Sequence, residues 1–388
     1  MDYFWKMTST DSGATFLEES ATTPGEEPSV NDNLELLASE GFADWLNQES
    51  VSLAFGTPPS KFWMVGVDDE GELSIFDRVL DKVMGLATDG HDRLSIATRY
   101  EIWHFENMLK AGTTTDSGHD RLFVPRSQSI VGNVNIHDLG IDKDGKDIWV
   151  NTRFGCLASS SDHASFIPRW IPPFLDGALQ GDRCHLNGLA MVDGEPRYVT
   201  CVGQTNEVDS WRDGRRDQGI VIDIRTNQIL GRGMSMPHSP RFYRDKIWVA
   251  NAGTGELGYI DTEQERFEPI FFGPGFLRGL CFVGDYAVVG SSKPRRGDLY
   301  SGLPLDEKLE ESGMDAHLGL FVVNITTGEL AHWLLVEGNV RELFDVCALN
   351  GAKRPAIIGL LGSDIATELW FDDSLPIPQE RREAVPFQ

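Results

Sequence analysis

The sequence predicts an all-β protein, and its repeats favour a six-bladed β-propeller. From residue 52 onward, short apolar or alternating runs are separated by Gly, Asp, Asn and Pro, which is typical of strands joined by hairpin turns. The 40 glycines and 10% aromatic residues suit many strands and tight turns. No long helical pattern interrupts these runs, so we expect sheets throughout the main body.

An internal repeat sets the number of blades. Each copy is an apolar strand, a turn containing Asp or Gly, and a second apolar strand, and several copies are followed by a third strand, as in residues 219–223. Six copies of such units match a propeller, whose blades have roughly 40–50 residues. The copies occupy residues 84–97, 139–151, 187–201, 240–250, 278–290 and 344–360.

The ends of the repeat predict how the ring closes. Strands near residues 62–78 precede the first copy, and the sixth copy has little chain after it. We therefore expect the N-terminal strands to complete the C-terminal blade. A β-sandwich and a seven-bladed propeller remain alternatives.

The sequence divides the chain into three segments. Residues 1–31 are polar and poor in large apolar side chains, which predicts a disordered tail, and residues 375–388 form a C-terminal tail. Residues 32–374 form a single propeller domain that begins with a short helix. A capping-box pattern at Asp32 and Glu35, followed by Leu37 and Trp45 at helical spacing, predicts that helix, which would pack on the body or bind a partner.

The composition limits the binding partners that we expect and indicates a cellular compartment. The formal charge of −26, from 60 acidic and 34 basic residues, disfavours nucleic acid and anionic membrane surfaces. The five scattered cysteines contain no pair spaced by two residues, and the N-terminus has no apolar signal region. We expect a cytoplasmic protein with reduced thiols, and the sequence leaves its oligomeric state open.

A recurring histidine is the strongest functional signal. Aligning the copies on Gly85, Gly140, Gly188 and Gly279 places one residue of each blade at one mouth of the central channel. In the two copies without this glycine, the strand of Trp248 fixes the place of His238, and Asp345 fixes that of Glu342. Three neighbouring blades then present histidine at the mouth, and another presents glutamate. The six predicted mouth residues are Lys82, His137, His185, His238, Phe276 and Glu342.

Three histidines in register suggest a metal site. Neutral imidazole is the commonest protein ligand for zinc, iron and copper, and three protein ligands with an open position are typical of catalytic zinc. We therefore expect a divalent transition metal, Zn or Fe/Cu, on His137, His185 and His238. The alternative is that these histidines only hydrogen-bond to water or backbone at a wet channel mouth.

Other polar residues extend the candidate site. Glu342 is a candidate fourth ligand or general base, and Arg241 and Arg278 are candidates for holding a substrate carboxylate. The same polar residues could equally brace adjacent blades. The candidate substrate-binding residues, from the blades and from long loops above the channel, are Asn151, Arg153, Asn187 and Trp211.

Other chemistries have little support in the sequence. Cys156 could be a nucleophile, but no partner base is identifiable, and a buried structural thiol is the better interpretation. The nucleotide-binding glycine motifs and the serine-hydrolase elbow are absent from the sequence, so we expect no nucleotide cofactor.

Three phrases, at residues 151–158, 185–190 and 236–241, resemble signatures of an uncharacterised bacterial β-propeller family catalogued as a domain of unknown function. The resemblance covers roughly residues 35–372 and implies one continuous domain without an established activity. A weaker likeness at the level of the fold is to propeller lyases that act on peptidyl hydroxyglycine and hold zinc by three channel histidines. Calcium-dependent gluconolactonase-type propellers are more distant still, because only Asn187, Glu342 and Asp345 could serve their carboxylate and asparagine site.

Two hypotheses follow from the sequence. The first is a metal-dependent lyase or hydrolase that acts at the channel mouth on a small or peptidic, carboxylate-bearing substrate. The second is a non-catalytic scaffold whose loop face binds a peptide or a protein.

Overall fold

Six four-stranded antiparallel units surround a central channel in the computed structural model, which describes residues 34–57, 60–90, 92–294, 301–359 and 362–369. The innermost strands of the six blades contact one another in a closed ring. The predicted six-bladed propeller is therefore confirmed, and the sandwich and the seven-bladed ring are excluded. No helix in this described part of the chain is long and apolar enough to cross a membrane.

The N-terminal residues contribute a strand, a helix and three blade strands. These elements are β1 (Glu35–Ala38), α1 (Phe42–Glu49), β2 (Val51–Thr57), β3 (Lys61–Val67) and β4 (Leu73–Val79).

Blades 1 to 3 follow in chain order, each running from the channel outward. Blade 1 contains β5 (Gly85–Thr88), β6 (Arg93–Ala97), β7 (Glu101–Asn107) and β8 (Arg121–Ile130). Blade 2 contains β9 (Ile136–Ile141), β10 (Asp147–Asn151), β11 (Cys156–Ser159) and β12 (Ile167–Trp170). Blade 3 contains β13 (Leu186–Val192), β14 (Glu195–Cys201), β15 (Gly219–Asp223) and β16 (Gln228–Met234).

Blades 4 and 5 continue the pattern, and blade 6 is built from both ends of the domain. Blade 4 contains β17 (Pro237–Tyr243), β18 (Lys246–Asn251), β19 (Glu256–Asp261) and β20 (Arg266–Phe272). Blade 5 contains β21 (Phe276–Val283), β22 (Tyr286–Ser292), β23 (Gly319–Asn324) and β24 (Leu330–Glu337). Helix α2 (Pro304–Ser312) lies between β22 and β23, and β25 (Val346–Asn350) and β26 (Pro355–Ile357) end the series.

The ring closes as the sequence predicts. Strand β25 is the innermost strand of blade 6, and β2, β3 and β4 from the N-terminal part pair outward from it in antiparallel order. Strand β26 then pairs in parallel with β8 at the outer edge of blade 1. The pairing of β2 with β25 joins residues nearly 300 positions apart, and that of β26 with β8 joins residues more than 230 positions apart. The two ends of the domain therefore stabilise each other.

The predicted N-terminal helix exists, but it begins later than the capping-box pattern indicates. Residues 35–38 form β1, which pairs with β24 and adds a fifth strand to blade 5. Helix α1 begins after Gly41, which has φ 76°, and buries Phe42, Trp45 and Leu46. The free edge of β24 supplies backbone partners for residues 35–38, and this outweighs their local helical spacing. Both predicted tails, residues 1–31 and 375–388, lie outside the described residues.

Small residues let the innermost strands approach closely at the narrow axis. A side chain at Gly188 would lie 2.2 Å from the Pro240 Cδ of the next blade. At Gly279, where φ is +71°, an added Cβ would lie 2.7 Å from the backbone nitrogen of Val346 in β25. These two glycines therefore permit blade-to-blade contact, which explains why the repeat can be aligned on glycine.

A β-bulge interrupts the innermost pairing of four blades at a similar level. The register shifts between Trp149 and Asn151 in blade 2, and between Leu186 and Gly188 in blade 3. It shifts again between His238 and Arg241 in blade 4, and between Arg278 and Leu280 in blade 5. Because a bulge redirects the side chains around it, the polar residues at these positions are reoriented together.

Candidate functional site

The three predicted histidines meet at one mouth of the channel. His137 lies in β9, His185 immediately precedes β13, and His238 lies in β17, so they come from three neighbouring blades. The ring centroids of His137 and His185 are 4.9 Å apart, and those of His137 and His238 are 6.4 Å apart. We call these three residues the histidine ring.

The same local backbone geometry positions two of the three imidazoles. Asn135 and Met236, each two residues before a ring histidine, have φ angles of 56° and 46°. This left-handed conformation brings their carbonyl oxygens to Nδ1 of His137, at 3.0 Å, and of His238, at 2.8 Å. Non-glycine residues rarely adopt such angles, and they concentrate at functional sites.

His185 is positioned differently, by a carboxylate. Its own φ angle is 48°, and its Nδ1 lies 2.6 Å from Oδ2 of Asp182, whose Oδ1 accepts the His185 backbone N–H at 2.9 Å. The indole of Trp211 stacks on the imidazole with a centroid separation of 4.1 Å. Both groups hold the ring of His185 in one orientation.

The hydrogen-bond partners assign the tautomers of the ring. A carbonyl oxygen only accepts, so Nδ1 of His238 must donate to Met236, and the Asp182 carboxylate likewise accepts from His185. The Thr152 hydroxyl donates to the carbonyl of Leu186 at 2.6 Å and therefore accepts from Nδ1 of His137 at 2.8 Å. In each neutral imidazole, Nε2 is then the unprotonated nitrogen.

Burial keeps two of these imidazoles neutral. Loss of solvation lowers the pKa of His137 well below its usual value, and the nearby His185 and Arg278 lower it further. Burial also lowers the pKa of His238 well below its usual value, and the charge of Arg278 lowers it further. Neutral imidazoles are the form that binds metal ions.

The spacing of the ring fits a shared metal ion only in part. Within the described residues, no group of three His, Cys, Asp or Glu side chains is close enough to hold a metal ion as it stands. Imidazoles on one tetrahedral ion have centroids about 5 Å apart, given metal–nitrogen bonds of about 2.0–2.1 Å. The pair His137–His185 meets this spacing, whereas the separation of His137 and His238 exceeds it.

Arg278 is a buried cation beside the ring. Its side chain lies between Phe344, with the guanidinium carbon 4.2 Å from the ring centroid, and Phe276, at 5.9 Å. Phe276 in turn contacts His238 edge-on at 5.3 Å. Arg278 is 4% exposed, and its guanidinium has no hydrogen bond or ion pair with any residue that the structure describes.

Arg241 has a different environment, although the sequence pairs it with Arg278. Its Nη1 donates to Asp138 at 2.8 Å, its Nε donates to the carbonyl of Leu280 at 2.9 Å, and its Nη2 lies 3.5 Å from Asp345. Burial acts to lower the pKa of Arg241, but the two carboxylates outweigh it and raise that pKa. All three nitrogens of this guanidinium therefore help to join blades 2, 4, 5 and 6. Arg241 thus fits the alternative in which these polar residues brace adjacent blades instead of holding a substrate.

The two aspartates of this cluster also link neighbouring blades through the backbone. Asp138 in β9 accepts from the backbone nitrogen of Leu189 in β13 at 3.0 Å, and Asp345 accepts from that of Leu86 in β5 at 2.9 Å. Burial, partly offset by Arg241 and reinforced by Asp138, raises the pKa of Asp345 to about 7. Two carboxylates share one guanidinium here, so the second carboxylate is the harder one to ionise.

The candidate substrate-binding residues have separate environments. Asn151 and Asn187 are buried, each accepts one hydrogen bond through Oδ1, and their Nδ2 atoms have no acceptor among the described residues. Trp211 is buried against His185 and positions it. Arg153 donates to the carbonyl of Asn133 at 3.1 Å and lines an open cavity.

That cavity adjoins the histidine ring and has a volume of about 690 Å³. Its wall contains Asn135 and Asp182, which bond to two ring histidines, together with Lys82, predicted from the blade alignment to lie at this mouth. The remaining lining residues are Asn133, Arg153, Gln180, Gly181, Val208 and Asp209. The cavity therefore offers a polar environment with two cationic side chains.

Glu342 and Cys156 complete the predicted set. Glu342 is buried in the segment that leads into β25, on the opposite side of the ring of blades from β13. The carboxylate that contacts a ring histidine is that of Asp182. Burial raises the pKa of the Cys156 thiol to about 12, which suits a structural thiol.

Sequence reasoning missed the residues that orient the histidines. Asp182 lies three residues before His185, a spacing that could have been noticed, but a turn was needed to bring the two together. Thr152 belongs to the next strand connection in the same blade as His137, and the sequence carries no signal for that contact. The carbonyl groups of Asn135 and Met236 could not be identified at all, because any residue type has one.

Comparisons with known proteins identify a family and give no activity. Residues 40–358 match a family described as "Domain of unknown function (DUF4915)", within the range of 35–372 expected from the three phrases. No curated protein matches the chain.

The solved structures that the chain resembles are distant in sequence. A structure of a nidogen/laminin complex has 10% identity and a TM-score of 0.47, covering 78% of this chain and 99% of its own. A protein of unknown function from Bacteroides caccae has 12% identity and a TM-score of 0.44, covering 77% and 98%. A luciferin-regenerating enzyme has 15% identity and a TM-score of 0.42, covering 80% and 92%. Likenesses this remote carry no argument about activity or substrate.

Proposed function

We propose, for a chain that belongs to the DUF4915 family of unknown function, that the histidine ring holds a divalent transition metal and that the channel mouth is an enzyme active site. The observation that carries this proposal is the shared tautomer. Each Nδ1 donates to an oxygen of the protein, so His137, His185 and His238 each keep Nε2 available as a ligand. Metal-binding histidines are usually oriented by such bonds.

The residues around the ring have distinct roles in this proposal. Asp182, Thr152 and the carbonyl of Met236 orient the three imidazoles, and Trp211 fixes the plane of His185. A movement of His238 toward His137 would bring the third ligand within bonding distance. When bound, a divalent ion supplies a Lewis acid that polarises a carbonyl or lowers the pKa of bound water.

We propose a small or peptidic substrate that carries a carboxylate. The buried guanidinium of Arg278 would bind that carboxylate, and the polar cavity with Lys82 and Arg153 would hold the remainder. Lyase and hydrolase chemistry both use a metal-polarised group and a base, and Glu342 remains our candidate for the base or a fourth ligand.

Metal content is the direct test. We would purify wild-type protein without chelator and measure Zn, Fe, Cu and Co by elemental analysis, beside His185→Ala and His238→Ala. His163→Ala, which changes an exposed histidine away from the channel, is the matched control. We expect stoichiometric metal in the wild type and the control, and loss of metal from both ring variants. Wild-type protein with no bound metal, and with unchanged stability in chelator, would overturn the proposal.

One observation favours a second candidate function, a peptide-binding scaffold. Leu179 and Val208 are 58% and 57% exposed on two loops beside the cavity, and apolar side chains there could contact a peptide. To test this, we would use display to select a peptide that binds the wild type. We expect the double variant Leu179→Asp, Val208→Asp to lose affinity for that peptide. Retention of full affinity by that double variant would exclude this surface.

A further inference from the structure

The chain that precedes β1 enters blade 5 from the side of the histidine ring. Glu35 pairs with Glu337 of β24, and the antiparallel pairings continue inward through β23 and β22 to β21. Phe276, the first residue of β21, contacts the histidine ring. Residue 35 is therefore level with the channel mouth, at the outer edge of the blade. Residues 1–33 connect to the domain on this side.

This segment combines an aromatic group with acidic residues. Tyr3, Phe4 and Trp5 are adjacent, and residues 6–33, which separate them from β1, contain six acidic side chains and one lysine. A segment with so few large apolar residues cannot bury its aromatic side chains against itself. These three side chains therefore need an apolar surface elsewhere.

Two exposed apolar side chains beside the cavity offer such a surface. Leu179 and Val208 are each more than half exposed, and we call them the rim pair. Their loops are in contact, because a Cβ added at Gly181 would lie 2.6 Å from Cγ2 of Val208, and the backbone nitrogen of Asp209 donates to the carbonyl of Asp182 at 2.7 Å. The cavity that Val208 lines, of about 690 Å³, is of the size that encloses small ligands.

Three arginines of the mouth loops have no carboxylate partner among the described residues. Arg341, Arg215 and Arg153 donate to backbone carbonyl oxygens at 3.0, 3.2 and 3.1 Å. Arg341 lies where the chain enters blade 5, since its carbonyl accepts from the backbone nitrogen of Lys293, whose side chain pairs with Glu337. Arg153 lines the cavity. Carboxylates of an acidic segment that crosses the mouth can pair with these arginines, which would orient the segment.

The length of the segment is sufficient for this path. Strands β1 and β21 are four strand spacings apart, or about 19 Å, and the cavity lies across the channel from them. The 30 residues from Trp5 to Glu35 can span up to about 100 Å. The aromatic group can therefore reach the rim pair.

We propose that residues 1–33 bind across the channel mouth of their own chain, with the aromatic group on the rim pair and the carboxylates beside the three arginines. The bound segment covers the cavity to which the proposed function assigns the substrate, so a substrate must displace it. Because the segment and its surface are covalently linked, weak contacts are enough to hold it there. The segment contacts loops and the cavity wall, and the inference needs no metal ion at the histidine ring.

The test is photo-crosslinking within the full chain. We would place p-benzoylphenylalanine at the position of Trp5, irradiate a mixture of isotopically light and heavy protein, and identify the cross-linked peptides by mass spectrometry. We expect cross-links to the loops of residues 171–184 and 203–218, joining peptides that carry the same isotopic label. The double variant Leu179→Asp, Val208→Asp should lose these cross-links.

Val79→Asp is the matched control, because Val79 is 59% exposed at the end of β4 on blade 6, apart from the rim pair. Its cross-links should persist. Cross-links that avoid the two loops, or that are equally abundant in the double variant, would overturn the proposal. Cross-links that join light to heavy chains would identify a second copy as the occupant and would overturn it as well. None of these outcomes depends on metal content, so the proposed function is tested separately.

Discussion

The carboxylate of Asp182 accepts a hydrogen bond from Nδ1 of His185 at 2.6 Å, and with its other oxygen it accepts the backbone N–H of the same residue. This bidentate contact holds a histidine whose backbone is in the left-handed region. It also distinguishes His185 from the other two members of the ring, which donate to neutral oxygens.

Asp182→Asn should weaken metal binding without unfolding the protein. The amide keeps an acceptor for His185 but loses the negative charge that makes the imidazole a stronger ligand. Removal of such an orienting partner typically costs 10- to 100-fold in metal affinity, and we expect a loss of about that size. Cobalt titration measures it, with Asp209→Asn on the same cavity wall as the control. An affinity equal to that of the wild type would contradict the assigned role of Asp182.

The same substitution at the two channel arginines should change stability by different amounts. Arg241→Met leaves Asp138 and Asp345 without their shared cation in a buried site, so we expect the free energy of unfolding to fall by about 3–5 kcal/mol. Arg278→Met removes a buried cation that has no carboxylate partner in the described chain, and we expect no comparable loss. Urea unfolding of the two variants checks this, and equal destabilisation would show that Arg278 is also structural.

Asp345 should make stability depend on pH. Burial raises its pKa from 3.8 to about 7 in the folded protein, so the folded state holds a proton that the unfolded state has released between these values. The contribution of this group to stability is therefore present below pH 3.8 and is lost as the pH rises to about 7. In urea unfolding over this range, Asp345→Asn should gain stability relative to the wild type as the pH increases. A difference that stays constant with pH would contradict the assignment.

Gly279→Ala should destabilise the ring of blades. The residue has φ +71°, and its new Cβ would lie 2.7 Å from the backbone nitrogen of Val346. Left-handed strain alone costs about 1–3 kcal/mol, and the backbone contact adds to it. Thermal unfolding measures the effect, with Gly359→Ala as the control because its added Cβ meets no atom within 4 Å. Equal unfolding temperatures for the two variants would mean that the innermost strands can separate at no cost.

The sequence by itself determined the architecture and the meeting of the three histidines. Apolar alternation and the repeat are local patterns, and a closed ring of equal units places equivalent residues at equivalent levels. For this reason His137, His185 and His238 could be predicted to converge, and β2 to β4 to complete the last blade.

Tertiary structure decided what the neighbouring polar residues do. Strand β1 replaced a predicted helical turn because β24, about 300 residues later, offers an edge. Arg241 and Arg278 have the same chemistry, yet only Arg241 meets carboxylates, because bulges shift the register of the innermost strands and so redirect each side chain. Partners such as Asp182 and the carbonyl of Met236 depend on turns and positive φ angles, which no residue pattern encodes.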